Sequence, residues 1–369
     1  MIQKLKTPIL IVAVIALIIA LFSFFYSNDS QPETESLKIG IIAPLSGDYA
    51  AIGENFVKGM RVAESVYEKQ TGVDIELIVE DDGADAVKGL SAFNKLIQID
   101  KVNGLINTFT STMDAIYEQS IDLPYPVIMG AFQANNVADD HVFQITPGND
   151  NTWNRYANYI NNLDINHEKM IIVHSQAAAQ ESFAKEFAKN YTTPIELFVA
   201  SSDKGSLRTD AAKVVGMNPT SILIMMTPEN GAIFTKELLP LVSDDVNLFY
   251  DIQIQTGAQL YLDNLGSFEA INGAYALNLE GESNQAFTDT YTEVIGEKPG
   301  FLSDYGYDAL MTYLLAYDSD ENVWIKNLKD TKLDGASGKV SFDAQGIIYP
   351  SLTIKQVVNG EMVVRERLK

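Results

Sequence analysis

Cysteine is absent from this chain, so disulfides, thiolate metal sites, cysteine nucleophiles and a lipidated-cysteine tether are excluded together. Histidine is nearly absent: only His141, His167 and His174 occur. There is no His-Glu-x-x-His, no Gly-x-Ser-x-Gly elbow, no phosphate-loop lysine motif and no Gly-x-Gly-x-x-Gly. An enzyme is therefore not expected. Positive charge is also scarce, with 26 basic against 49 acidic residues and a formal net charge of −23. Such a surface repels phosphate backbones, which argues against a nucleic-acid partner.

The acidic residues do not assemble a convincing metal site, and no metal or cofactor is expected. Glu80, Asp81, Asp82 and Asp85 sit at a strand end, where carboxylates shape turns and cap helices. Asp318-Ser319-Asp320-Glu321-Asn322 starts like a calcium loop, but Val323 stands where the turn needs glycine and Lys329 where the loop needs glutamate. It reads as a solvated turn before a helix. Asn28-Asp29-Ser30 and Asn190-Tyr191-Thr192 are glycosylation acceptors only in a host with that machinery.

What is present is a chain of 369 residues with 46% hydrophobic content, enough for two domains with their own cores. Lys4 and Lys6 precede an apolar run from Ile9 to Phe25, which as a helix spans roughly 25 Å. Phe24, Phe25 and Tyr26 form an interfacial aromatic flank. Leu21 and Ser23 make a poor cleavage site, so an uncleaved anchor is favoured over a cleaved signal. Residues 1–8 form a basic start on the cytoplasmic side, 9–26 the membrane segment and 27–36 a polar linker, with the main domain outside the cytoplasm.

Beyond the linker, strand and helix patterns alternate. Strands are predicted at Lys38–Ala43, Asp74–Glu80, Val102–Thr108 and Val127–Met129, with helices from Glu54, over Ala84–Ile99 and from Met113. Phe143 to Gly148 reads as a crossing. A second series has strands at Met170–His174, Ile195–Ala200, Ser221–Met226 and Asn247–Tyr250, with helices at Gln180–Lys189, Ser206–Val215 and Gly231–Val242. This rhythm implies an α/β chain with two parallel sheets covered on both faces. The loop Leu45 to Gly53, at the carboxyl end of the first strand, lies where such sheets bind small ligands.

The phrase Lys38-Ile39-Gly40-Ile41-Ile42-Ala43-Pro44-Leu45-Ser46-Gly47, then Ala51-Ile52-Gly53 and a helix carrying Gly59-Met60, resembles the start of mature solute-binding proteins of the leucine/isoleucine/valine-binding type, the receptors of ABC importers. Further resemblances follow in the family's order: Val79-Glu80-Asp81-Asp82, Pro126-Val127-Ile128, Gly205-Ser206-Leu207-Arg208-Thr209-Asp210, Asn272-Gly273-Ala274-Tyr275, Tyr307-Asp308-Ala309 and Gly338-Lys339-Val340-Ser341-Phe342-Asp343. Together they cover residues 37–365. The resemblance implies the type I periplasmic-binding-protein fold, two doubly wound lobes joined by a three-crossing hinge. Lobe 1 would hold 37–147 and 277–344, and lobe 2 would hold 148–276 and 345–369.

The resemblance also implies site residues. Thr110, Ser111 and Thr112, before a helix, would receive a carboxylate with hydroxyls and helix-start amides; helix capping is the plainer reading of the same residues. Ala131 and Gln133 fall where the next loop holds the ligand's ends, and Ile52 where an aromatic usually lines the pocket. In lobe 2, tyrosine positions of amino-acid binders fall on Ala179 and Met226, and the glutamate that receives the α-ammonium falls on Asp251 or Gln253. Asp251 would keep the charge-assisted bond and Gln253 would lose it. Read for its alternation alone, Asp251, Gln253 and Gln255 form a solvated strand face. His174, at a strand end, is either a ligand contact or a hydrogen-bonded loop residue.

The expected function is an extracytoplasmic solute-binding protein closing on a small polar ligand, an amino acid, amide or related compound, and presenting it to ABC permease subunits. The alternatives are a sensing receptor of the same fold and an interaction domain with a decayed pocket.

Overall fold

Apolar runs too short for helices, bounded by turn residues, build the strands, and amphipathic stretches between them build the helices. The computed structural model describes residues 36–47, 49–130, 141–166, 168–176, 178–279, 284–349 and 352–368. The segment expected to anchor the chain lies outside them, as do Ala131, Gln133 and His167. Among the described residues no helix is long and apolar enough to cross a membrane.

The first sheet contains β1 (Leu37–Ala43), β2 (Ile75–Asp81), β3 (Gly104–Asn107), β4 (Val127–Met129) and β5 (Val142–Gln144), in the order β2-β1-β3-β4-β5. β1, β3, β4 and β5 pair in parallel. Strands β3, β4 and β5 are buried throughout, as expected where helices cover both faces. Helices α1 (Ala50–Thr71), α2 (Ala86–Lys95) and α3 (Thr110–Ser120) connect them.

Boundaries differ from the sequence expectation in several places, two of them at the ends of α1 and α2. Helix α1 starts at Ala50 rather than near Glu54, because Gly47 turns the chain at φ 80°. The helix then folds back over Pro44, where a Cβ on Gly53 would lie 2.0 Å from the Pro44 carbonyl oxygen. Helix α2 ends at Lys95 and gives way to a π-helical turn at Leu96–Asp100.

After Gln144 the chain enters α4 (Asn149–Asn161), whose Tyr156 hydroxyl donates to the Tyr250 carbonyl at 3.0 Å. The second sheet holds β6 (Met170–His174), β7 (Ile195–Val199), β8 (Ser221–Met225), β9 (Asn247–Tyr250), β10 (Tyr275–Asn278), β13 (Leu352–Val358) and β14 (Glu361–Leu368). Its order is β14-β13-β10-β9-β8-β6-β7. The five strands β6 to β10 pair in parallel, and β13 and β14 add antiparallel at the β10 edge. Helices α5 (Ala178–Asn190), α6 (Leu207–Gly216), α7 (Pro228–Leu238), α8 (Gln253–Thr256) and α9 (Ala258–Leu265) complete this part.

Between β10 and β13 the chain makes α10 (Gln285–Ile295), α11 (Ser303–Ala316), α12 (Glu321–Lys329) and the small hairpin of β11 (Leu333–Asp334) and β12 (Lys339–Val340); α10 and α11 pack against α1, and α12 packs against α11. The α1 and α11 backbones touch: a Cβ on Gly59 would lie 1.9 Å from the Ser303 oxygen, and one on Gly306 would lie 2.0 Å from the Phe56 oxygen. The Tyr313 hydroxyl donates to the Pro126 carbonyl and accepts from the Leu105 amide. Buried Asp308 accepts from the Ala336 amide at 2.6 Å and from the amide and hydroxyl of Ser337 at 2.8 and 2.6 Å. That carboxylate fixes the loop before β12, where Gly335 leaves it room.

Candidate functional site

In open α/β sheets, ligands bind outside the carboxyl ends of the strands. At that end of the first sheet three loops are knotted together by short polar side chains. Asp81 accepts from the Leu45 and Gly83 amides, both at 2.8 Å, and its bond with Ser46 holds the carboxyl below its usual range. Buried Asp82 accepts from the Ala84 amide at 2.9 Å and from the Thr112 hydroxyl. Burial pushes the Asp82 carboxyl up, against the pull of these bonds. Asp85 caps α2 through the Val87 and Lys88 amides. Asp81, Asp82 and Asp85 therefore do the turn and capping chemistry that their position suggested, while Glu80 pairs with Lys95 instead; among the described residues no group of carboxylates and histidines is arranged to hold a metal.

Thr110, Ser111 and Thr112 form the first turn of α3, which begins three residues earlier than expected. The Ser111 hydroxyl donates to the Ala84 carbonyl at 2.8 Å, and that of Thr112 to Asp82, so both serve the protein itself. The N-cap is Phe109, which brings no side-chain oxygen to the helix amides. Its ring lies 4.7 Å from that of Tyr49, and both side chains are half-buried. Ile52, in the first turn of α1, is half-buried as well. The Tyr49–Phe109 pair is thus an aromatic surface beside the uncapped start of α3. The sequence reading looked for an aromatic only at Ile52, one turn from Tyr49.

At the carboxyl end of the second sheet the polar residues are buried. His174 closes β6, with Nδ1 2.9 Å from the Ser175 carbonyl oxygen. The Ser175 hydroxyl accepts from the Thr227 amide at 3.0 Å, tying the β6 and β8 loops. Met226 is part of the apolar core under this sheet, packed with Ile171, Ile224 and Phe234. Asp251 and Gln253 lie not on a strand face but in the turn from β9 into α8. They are 1% and 8% exposed, so the solvated strand face is corrected: β9 stops at Tyr250 and the chain turns inward.

The Asp251 Oδ1 accepts from the Gln253 amide at 2.9 Å, while Oδ2 has no hydrogen-bond partner among the described residues. Burial pushes this carboxyl well above the ordinary carboxylate range, against the two backbone amides that favour its ionised form. Gln253 Oε1 and the Oε1 of Gln180, a 2% exposed residue of α5, also have no partner among the described residues. Each of these buried acceptor oxygens, without a donor among the described residues, is a demand that a ligand can meet. The sequence reading singled out Asp251 and Gln253 but missed Gln180, which lies one residue past Ala179.

A cavity of about 530 Å³ lies beside β13 and β14. Gln255, Asn284, Phe301, Tyr305, Lys355 and Arg367 are among its walls, and none of the eight expected ligand residues that are described lines it.

With this geometry in view, the comparisons with known proteins agree. The model of the periplasmic binding protein family matches residues 36–360. The Leu/Ile/Val-binding protein homolog 3 of Brucella melitensis is 27% identical over 159 residues, 41% of this chain and 42% of that protein. The match thus spans less than half of that relative's length. Homolog 7 of Brucella suis is 27% identical over 116 residues, 30% of this chain and 28% of that protein.

Among solved structures, the branched-chain amino acid transporter substrate-binding protein LivJ of Streptococcus pneumoniae, in complex with isoleucine, superposes with a TM-score of 0.78 at 19% identity, covering 90% of this chain and 99% of that one. A solute-binding protein of an ABC transporter from R. palustris, in complex with benzoate, gives 0.73 at 17% identity, covering 90% and 96%. These likenesses show the fold, and the family match over most of the chain shows the lineage: the protein belongs to the periplasmic binding protein family, as a type I, leucine-binding-protein-like member.

Proposed function

We propose that the chain is the extracytoplasmic solute-binding component of an ABC importer, closing two lobes on one small polar molecule that carries an ammonium or amide donor at one end and a carboxylate at the other. The lobes are 37–147 with 277–344, and 148–276 with 345–369. The observation that carries the reading is Asp251: a buried carboxylate oxygen without a donor among the described residues, at the carboxyl end of the second sheet. An α-ammonium would satisfy it, with Gln253 and Gln180 accepting beside it. The start of α3, uncapped at Phe109, supplies amides and a positive dipole end for the carboxylate. Tyr49, Phe109 and Ile52 would flank an apolar side chain.

A ligand that bridges both lobes stabilises the closed form by its differential affinity for it. The closed form is what permease subunits would recognise. Segment 9–26 would hold the protein at the outer face of the membrane. The bound compounds of the neighbours, isoleucine and benzoate, support a small carboxylate ligand.

The test is a thermal-shift screen of the full chain against α-amino acids, amides, polyols and aromatic acids. A ligand at ~100 times its dissociation constant adds ~2.7 kcal/mol, which moves melting by several degrees. A shift with α-amino acids is the expected result. A second reading, an interaction domain with a decayed pocket, is favoured by the internal bonds of Ser111 and Thr112 and the core position of Met226; it requires the whole panel to leave melting unchanged.

A further inference from the structure

The passages of the chain after β5 and before β13 are bonded to each other, and Gln144, fully buried, lies at their centre. Its backbone amide donates to the Gly346 carbonyl at 2.7 Å, and its carbonyl accepts from the Ile348 amide at 3.0 Å. Its side-chain Nε2 donates to the Thr146 and Pro147 carbonyls, both at 3.0 Å, which fixes the backbone that leads into α4. Opposite it, Asp343 accepts from the Gln345 and Ile347 amides at 2.8 and 3.0 Å, and the Phe143 and Phe342 rings meet edge to face at 5.1 Å. Gly346 turns this segment at φ 75°, where a Cβ would lie 3.0 Å from the Val142 oxygen. Residues 142–147 and 342–348 thus form one stiff plate at the β5 edge of the first sheet. Breaking buried bonds of this kind strands polar groups away from water, so lobe motion leaves the plate whole.

Tyr349 is the first residue beyond the plate, and Leu352 already begins β13. Tyr349 is 52% exposed, and the Arg155 guanidinium lies over its ring, 4.9 Å from Cζ to the centroid. Arg155 is held by the second sheet. It is a half-buried residue of α4 that donates to the Leu368 carbonyl at the end of β14, and its neighbour Tyr156 ties α4 to β9 through the Tyr250 carbonyl. The contact of Arg155 with Tyr349 therefore spans the joint between the plate and the second sheet. A cation over a partly exposed ring is weak and tolerates sliding, unlike the buried bonds on either side of it.

We propose that Arg155 and Tyr349 form the bearing of the interlobe hinge: Arg155 is a positioning residue whose contact with the Tyr349 ring sets the ratio of open to closed molecules. The proposal rests on the two-lobe reading given above. A contact of this type shifts a two-state ratio about two- to fivefold. Its loss moves the population away from the form in which ring and guanidinium meet, and ligand affinity follows the competent fraction.

Pulsed electron paramagnetic resonance on the full chain, spin-labelled at Val87→Cys and Arg208→Cys, reads that ratio without ligand. Tyr349→Leu is expected to change it about two- to fivefold, and Tyr349→Phe, which keeps the ring, to leave it as in the natural chain. Arg155→Met is expected to act as Tyr349→Leu does, and the double variant to go no further than either single change. The Tyr349 variants change an exposed side chain, so they decide the matter whatever the folding of Arg155→Met. An unchanged ratio in Tyr349→Leu, an equal shift in Tyr349→Phe, or additive effects in the double variant overturns the proposal. Adding L-leucine to the natural chain separates it from the ligand reading. A ratio that answers to Tyr349→Leu and not to L-leucine keeps the bearing and removes the amino-acid assignment; a ratio that answers to L-leucine alone removes the bearing.

Discussion

Replacing Asp251 by asparagine isolates the interaction on which the proposed function turns. The variant keeps an oxygen to accept from the Gln253 amide, which in the natural chain lies 2.9 Å from Oδ1, and changes the charge of the other arm. Hydrogen bonds to charged groups contribute ~1.5–3 kcal/mol, so affinity for an α-amino acid should fall about 10- to 150-fold. The pH dependence carries more information. Burial holds the empty site's carboxyl above its ordinary range, and a bound ammonium favours the ionised form. Binding therefore releases a proton, and affinity rises with pH until the empty carboxyl is itself ionised. Calorimetry with L-leucine across pH, in buffers of different ionisation enthalpy, reads both effects. Its deaminated analogue 4-methylpentanoate should show neither. An Asp251→Asn variant that binds L-leucine within twofold of the natural chain, with the same pH profile, would refute the reasoning.

Other consequences concern the frame that carries the site. Asp308, pushed up to about 6 by burial against an ordinary 3.8, binds its proton more readily folded than unfolded. Its contribution should make stability decline by about 3 kcal/mol as pH rises from ~4 to ~6, a slope that Asp308→Asn removes in denaturant melts. Gly59→Ala should cost ~3 kcal/mol or more, because its Cβ would lie 1.9 Å from the Ser303 oxygen with backbone on both sides; a loss under ~1 kcal/mol would show that α1 and α11 can separate. Thr112→Val removes the donor to buried Asp82 and should cost ~1–3 kcal/mol, read by urea unfolding with an unchanged m-value.

The strands were the most legible part of the sequence, because β1, β4, β6 and β8 are apolar runs whose length suits a buried strand and not a helix. Helix starts were less legible. Thr110-Ser111-Thr112 looks like a capping loop, but its hydroxyls bond to Asp82 and Ala84 on another loop, a tertiary contact that propensity cannot see. The alternation of Asp251, Gln253 and Gln255 resembled a solvated strand because period-two patterns carry no sign of which side is water. The inward turn after Tyr250 made Asp251 and Gln253 buried. The cavity at Lys355 and Arg367 had no signature, since its walls come from segments spread between Gln255 and Arg367.

The central claim is that the protein closes on its ligand, and an interlobe distance tests it directly. With no native cysteine to compete, Val87→Cys on α2 and Arg208→Cys on α6 accept spin labels cleanly; these positions are 78% and 79% exposed. Pulsed electron paramagnetic resonance on the full chain, with and without saturating L-leucine, reads the separation. The account predicts a distance distribution that shortens and narrows with L-leucine and keeps its unliganded form with 4-methylpentanoate. An unchanged distribution in the presence of every amino acid that the chain binds would contradict it.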